Sequence, residues 1–207
     1  MVSRNFSRLV KEWNTKLHIY VGLFSLLFLW LFSVSGVIMN HPLWFSGQPT
    51  RSEFEQPVEL PSGTDDQATA KALLEQLGIS GEVIFMVPKK DHLTFRVLRP
   101  NRRMVVDVDL QSRKAVVRTA IPKAAGVLLA LHTSTGVRTI WNEPQPQRDW
   151  IMTRVWSFSM DAICAGLIFL VCSSLYMWFQ LKHKRLLGSI VLGAGTLSCA
   201  FFIWGLS

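Results

Sequence analysis

The chain has 207 residues, 49% of them hydrophobic, with eight tryptophans and a positive mean hydropathy. That combination suits a small membrane protein with room for one modest extramembrane domain. A formal net charge of +8 would fit a nucleic-acid partner if it formed a patch, but it is concentrated beside apolar runs. Arg4, Arg8, Lys11 and Lys16 precede the first run against the single acid Glu12, and Lys182, Lys184 and Arg185 separate two later runs. This is the positive-inside pattern, and no nucleic-acid partner is expected.

Residues 1–16 interleave basic side chains with Phe6, Leu9, Val10 and Trp13. The pattern predicts an amphipathic helix on the cytoplasmic surface ahead of the membrane. Residues 17–41 then form the first transmembrane segment, since about 20 mostly apolar residues suffice to cross. A secretory signal would have an apolar core of only about 7–15 residues and a small-residue cleavage site. This run is roughly twice that length and ends in Met-Asn-His-Pro-Leu-Trp-Phe, so it reads as a retained helix. Pro42 stops it by disfavouring helical geometry at His41.

Residues 42–120 contain a linker and a small domain. From Gly47 to Thr64 the chain is rich in Pro, Ser, Gly, Glu and Gln, which reads as an exposed linker. DDQATAKALLEQLG follows as a short helix, with Thr64 or Asp65 as cap and Gly78 as stop. Four strands are then expected, at Glu82–Val87, Leu93–Leu98, Met104–Leu110 and Ala115–Ala120, separated by charged turn sequences. Leu93, Phe95 and Val97 alternate with Thr94, Arg96 and Leu98, so one face of the sheet is buried and the other is wet.

Residues 121–149 are apolar only between Ala124 and Leu131, too short to span, and fit an interfacial or re-entrant helix followed by the turn EPQPQRD. Residues 150–181 form the second transmembrane segment, 182–185 a cytoplasmic loop and 186–207 the third transmembrane segment. The expected fold is a membrane α-helical bundle of three transmembrane helices, with a small α+β domain inserted between helices 1 and 2. Its N-terminus is cytoplasmic and residues 42–149 lie outside, in the periplasm of a bacterial inner membrane. All three cysteines fall in apolar runs, without CxxC or zinc-type spacing, and read as packing residues.

Four of the five histidines fall at membrane faces: His18 and His183 at the inner ends of the first two segments, His41 and His132 near the outer ends. As a helix, the first segment separates His18 from His41 by roughly 35 Å. Paired imidazoles facing each other across antiparallel helices are the ligand chemistry of a six-coordinate b-type haem, so the four are candidate iron ligands. Two of these have a plainer reading, as does the fifth histidine. His183 is another base in the KHKR cluster, His41 a helix stop at the interface, and His92, in the charged turn PKKDH, a solvated loop residue. Small residues in the same helices, Gly22, Ser25, Ser35, Gly36, Gly166 and Ser173 among them, could admit a flat macrocycle or serve close helix packing. Arg154 and Asp161 place charges about two turns apart on one face of the second helix. Arg154, near the outer side, could pair with a haem propionate or snorkel to the interface.

Leu17-His18-Ile19-Tyr20-Val21-Gly22, then Phe32 to Pro42 (FSVSGVIMNHP), a helix-plus-sheet domain, Leu131-His132-Thr133 and Leu175-Tyr176-Met177-Trp178-Phe179 together resemble the PepSY-associated transmembrane family, in its short PepSY-TM-like branch. The resemblance extends through Arg185 and implies that the inserted domain is PepSY-like. The family includes inner-membrane reductases of ferric siderophores that carry b haem on histidines and pass electrons outward. It implies that His18 and His132 occupy the family's Leu-His positions and His41 the short branch's Asn-His position; His183 has no family counterpart. The chain departs from the family in having Ser173-Ser174 where a Thr/Ser-Gly is usual, and in being about half as long as the larger reductases.

Two functions follow as expectations. One is a haem-b electron-transfer protein with one or two haems, reducing periplasmic ferric chelates alone or as a reductase subunit. The other is a non-enzymatic accessory or assembly subunit. Membrane lipid, a second copy of the chain or a partner membrane subunit are the expected partners.

Overall fold

The computed structural model describes residues 2–45, 47–61, 66–88, 91–134, 137–140, 143–146, 149–181 and 185–206. The proposed caps Thr64 and Asp65, and His183, lie outside them. The chain divides into two compact units, Phe28–Asp161, and Met1–Leu27 with Ala162–Ser207.

Val2–Asn40 (α1) is one continuous helix of 39 residues. The expected change between a surface helix at 1–16 and the span does not occur, because no proline or glycine interrupts the sequence before Gly22. An Arg8–Glu12 pair at 3.0 Å ties successive turns together within the first part of the helix. The helix ends where His41-Pro42 was expected to end it, and Pro42–Phe45 continues as a 3-10 turn.

Thr50–Pro57 (β1) lies within the stretch read as a linker, so that reading is corrected. All eight residues pair antiparallel with Lys114–Ile121 (β5). No hydrophobic alternation marks β1, because it is an exposed edge strand. Charge sets its cross-strand fit: Glu55 meets Lys114 at 2.8 Å and Glu53 meets Arg118 at 3.5 Å. Asp66–Gln76 (α2) then leads to Glu82–Pro88 (β2), His92–Arg99 (β3) and Arg102–Asp109 (β4). The sheet order is β1-β5-β4-β3-β2 and every neighbouring pair is antiparallel. β1 and β2 are therefore opposite, parallel edges, with α2 as the crossover between them.

The wet-and-dry alternation holds. Leu93, Phe95, Val97, Met104, Val106, Val108, Ala115 and Val117 are buried together with Ala70, Leu73, Leu74 and Leu77 from α2 and the loop after it. Gly78, at φ +64°, closes that helix in the left-handed conformation glycine adopts without strain. In the β4–β5 turn, the backbone and side chain of Ser112 and the backbone N–H of Gln111 hold the Asp109 carboxyl below the ordinary carboxylate range. His92 begins β3, half exposed, with Asp107 3.9 Å away.

Ala124–Thr133 (α3) is the short apolar helix expected there. Beyond it, Val137–Ile140 (β6) and Glu143–Pro146 (β7) pair as a small antiparallel ribbon. The segment read as a turn therefore contains a strand. The sequence hid it because each strand has only four residues and β7 carries two prolines, which suit an edge position.

Ile151–Gln180 (α4) and Arg185–Gly205 (α5) complete the chain. With α1 they make three helices long and apolar enough to cross a membrane. In the unit built from both chain ends, α1 and α4 run antiparallel: Thr15 contacts Met177, His18 contacts Ser173, and Val21 faces Gly166. A side chain at Gly166 would begin 3.2 Å from Val21 and 3.6 Å from Ser25, and one at Gly22 would begin 3.9 Å from Leu170. Glycine thus permits the approach of the two helices. No side-chain atom or distant backbone lies within 4 Å of that position at Gly195 in α5. Gly166→Leu is expected to lower the unfolding midpoint of the detergent-solubilised chain by the equivalent of about 1–3 kcal/mol, a typical overpacking cost. Gly195→Leu should leave it nearly unchanged, and equal effects of the two substitutions would refute the packing account.

Candidate functional site

α3 starts after Pro122, which cannot continue a strand ladder, and runs through AAGVLLALHT with His132 in its last turn. That position directs the imidazole at α1. Its Nδ1 lies 2.6 Å from Ser35 Oγ, and the Phe32 ring meets it edge-on, with centroids 5.0 Å apart and planes at 81°. Ser35 is fully buried, and its hydroxyl also lies 2.8 Å from the carbonyl of Leu31 and 3.1 Å from that of Phe32.

A hydroxyl has one proton. If Ser35 donates it back to its own helix, the oxygen is left to accept from His132, so Nδ1 carries the imidazole proton. Neutral His132 then has its lone pair on Nε2, the form in which histidine binds iron. His18 repeats the arrangement, with Nδ1 3.2 Å from Ser173 Oγ on α4. Ser35 and Ser173, read from sequence only as small residues, are thus the groups that orient the two histidines. The signal available was a serine within an apolar helix at the level of a histidine on another.

His41 is placed differently. It is exposed and stacked on Trp44, with centroids 3.9 Å apart and planes at 6°. At about 100° per residue, His41 lies on the opposite side of the helix from Phe32, which touches His132. The fold therefore does not bring His41 and His132 onto one face. Arg154 is exposed one turn into α4, and its backbone N–H donates to the Trp150 carbonyl at 3.2 Å. Asp161 is exposed in the same helix.

The fit of these residues to a haem can be tested on the donors and on the space. The donors fit at His132, whose Nε2 keeps its lone pair when Ser35 donates within α1; at His18 the 3.2 Å contact with Ser173 holds the ring without fixing which nitrogen carries the proton. Gly22 and Gly166 do not form a slot for a macrocycle; Leu170, Val21 and Ser25 fill the space they leave. Gly36, beside Ser35, has nothing within 4 Å of where a side chain would begin. Among the described residues, no cluster of three or more His, Cys, Asp or Glu could hold a bare metal ion. The three cysteines are free thiols.

A separate cavity of about 680 Å³ lies among β2, β3, β4, the end of α3 and the start of α4. Leu131 and Ser134 border it, on the other side of α3 from the His132 contacts. Arg96, Arg99 and Arg103 supply its positive charge and Glu82 is its one acid among the described residues. Glu82 is buried, and its two oxygens accept the backbone N–H groups of Asp149 and Trp150 at 3.0 and 3.1 Å. No sequence pattern marks this cavity. Arg99 and Arg103 flank the β3–β4 turn in RPNRR, and Arg96 alternates on the wet face of β3, so all three read as solvated charge.

Three apolar helices and an antiparallel sheet domain between the first two define a helical membrane protein with a small α+β domain. The profile of the PepSY_TM-like family matches residues 10–204, and the chain belongs to that family. No curated protein and no solved structure matches it.

Histidine nitrogen NMR tests the assigned tautomer. In metal-free protein at pH 8, above the ordinary histidine pKa, His132 is expected as the Nδ1–H form. Ser35→Ala should convert it to a mixture of tautomers. An Nε2–H imidazole in the unsubstituted chain would contradict the assignment.

Proposed function

We propose that the chain is a haem-b electron-transfer protein of the bacterial inner membrane, with its N-terminus cytoplasmic and residues 42–149 periplasmic. The reading is carried by the pairing of His132 with buried Ser35, whose hydroxyl can donate within its own helix and so leave His132 Nε2 as an iron ligand; Ser173 gives His18 a serine partner at the same ring nitrogen. The basic flanks at Arg4 to Lys16 and Lys182 to Arg185 support the orientation. Haem supplies a one-electron carrier. His18 and His132 would hold it through Nε2, and their hydrogen bonds to Ser173 and Ser35 would tune the basicity of the imidazoles.

His18 and His132 are the primary ligands in this reading. His41 lies off the His132 face, so a second copy of the chain or a partner subunit is its simplest route to a shared haem. His183 is the remaining inner candidate, and Arg154 is exposed where a propionate could meet it. The acceptor is a periplasmic ferric chelate of the siderophore type, which would make the chain a ferric-chelate reductase or a subunit of one. The resemblance to the reductase family supports that choice of acceptor. A second reading, an accessory subunit bound to a membrane partner, is favoured by α5, which buries none of its residues in this chain.

Oxidised and dithionite-reduced spectra of the detergent-purified protein, with haem quantified per chain, separate the two readings. A reducible Soret band is expected, lost in His132→Ala or His18→Ala. Ser35→Ala should retain haem with about 10–100-fold weaker affinity, as loss of an outer-shell partner typically costs. A well-folded, colourless protein would overturn the haem reading.

A further inference from the structure

The cavity of about 680 Å³ falls in the size range of small-molecule sites, which are mostly apolar with a few placed polar groups. Its walls have that character: Ile84, Leu98, Met104, Leu131, Val155 and Trp156 provide apolar surface from three strands and two helices. Arg99 and Arg103 line it together with one glutamate, and both oxygens of that glutamate are occupied by backbone N–H groups. Arg99 is held in place by stacking over the Trp150 ring at 5.1 Å. A planar guanidinium fixed in this way is suited to a carboxylate or phosphate.

A small inorganic anion would satisfy the charge and leave the apolar walls wet. A neutral apolar molecule would cover the walls and bring no charge to the arginines. We infer that this cavity binds an anionic amphiphile, with a phosphate or carboxylate head at Arg99 and Arg103 and an apolar body against Leu131, Val155 and Trp156. Phospholipids and long-chain carboxylic acids share that chemistry. The cavity opens beside the first turn of α4, a helix apolar enough to span a membrane, so such molecules would be close at hand if it does. His132 contributes nothing to the cavity, and this site therefore stands or falls independently of the haem reading.

Native mass spectrometry of the full chain in an uncharged detergent provides the test. The probes are dioleoyl phosphatidylglycerol, oleate, dioleoyl phosphatidylcholine and inorganic phosphate. A one-to-one adduct with phosphatidylglycerol, oleate or both is expected, and the stronger of the two identifies the head group. Arg99→Gln with Arg103→Gln should weaken the adduct at least 10-fold, while His132→Ala should leave it unchanged. Val155→Trp keeps the charges, sits at an exposed position and narrows the apolar part; it should weaken the adduct even if the arginine variants fold poorly. Equal binding of phosphatidylcholine, equal binding of inorganic phosphate alone, or an adduct unaffected by both sets of substitutions would overturn the assignment.

Discussion

Where α1 passes α4, glycine on each helix faces a branched side chain on the other: Gly22 against Leu170 and Gly166 against Val21. In a lipid environment apolar helices gain nothing by hiding from water, so their association rests on close packing and on hydrogen bonds. Gly166 is where that packing needs a glycine, since a side chain there would press on Val21 at 3.2 Å, whereas one at Gly22 would meet Leu170 at ordinary contact distance. Across the same helix pair His18 lies 3.2 Å from Ser173. A bulkier residue at Gly166 would push the helices apart and leave the histidine without the serine that orients it. The same contact has a cost, since Ser25 Oγ is buried beside Gly166 with no hydrogen-bond partner among the described residues. An unsatisfied hydroxyl typically costs about 1–3 kcal/mol, which close packing over the helix pair must offset.

Much of this organisation was legible in the sequence because it depends on periodicity and on proline and glycine. Alternation at Leu93, Phe95 and Val97 marked the buried face of β3, Gly78 marked the end of α2, and Pro42 marked the end of α1. β1 escaped notice because an exposed edge strand needs no apolar face; Glu53 and Glu55 find their partners, Arg118 and Lys114, about sixty residues away. The continuity of α1 was missed for a different reason. The basic, amphipathic pattern of its first sixteen residues reports the surroundings of the helix and says nothing of whether the backbone breaks.

The histidines divide in the same way. Sequence position placed them at the ends of apolar runs, but which atom each presents depends on a neighbour brought in by the fold. Ser35 precedes His132 by 97 positions and Ser173 follows His18 by 155, and no local pattern links members of either pair. His41, equally prominent in the sequence, stacks on Trp44 near the end of α1. The arginines around the cavity show the converse. RPNRR looks like solvent-facing turn chemistry, and only the meeting of β3 and β4 with α3 and α4 gives those charges apolar walls.

Reconstituted vesicles test the proposed transfer of electrons across a sealed membrane. A ferric chelate would be trapped inside, with the chain oriented so that residues 42–149 face the lumen, and a membrane-impermeant reductant added outside. The account predicts that the trapped iron is reduced in vesicles containing the haem-loaded protein, and stays oxidised in empty vesicles and in those carrying His132→Ala. Trapped iron that stays oxidised in all three, with the protein folded, haem-loaded and correctly oriented, would contradict it.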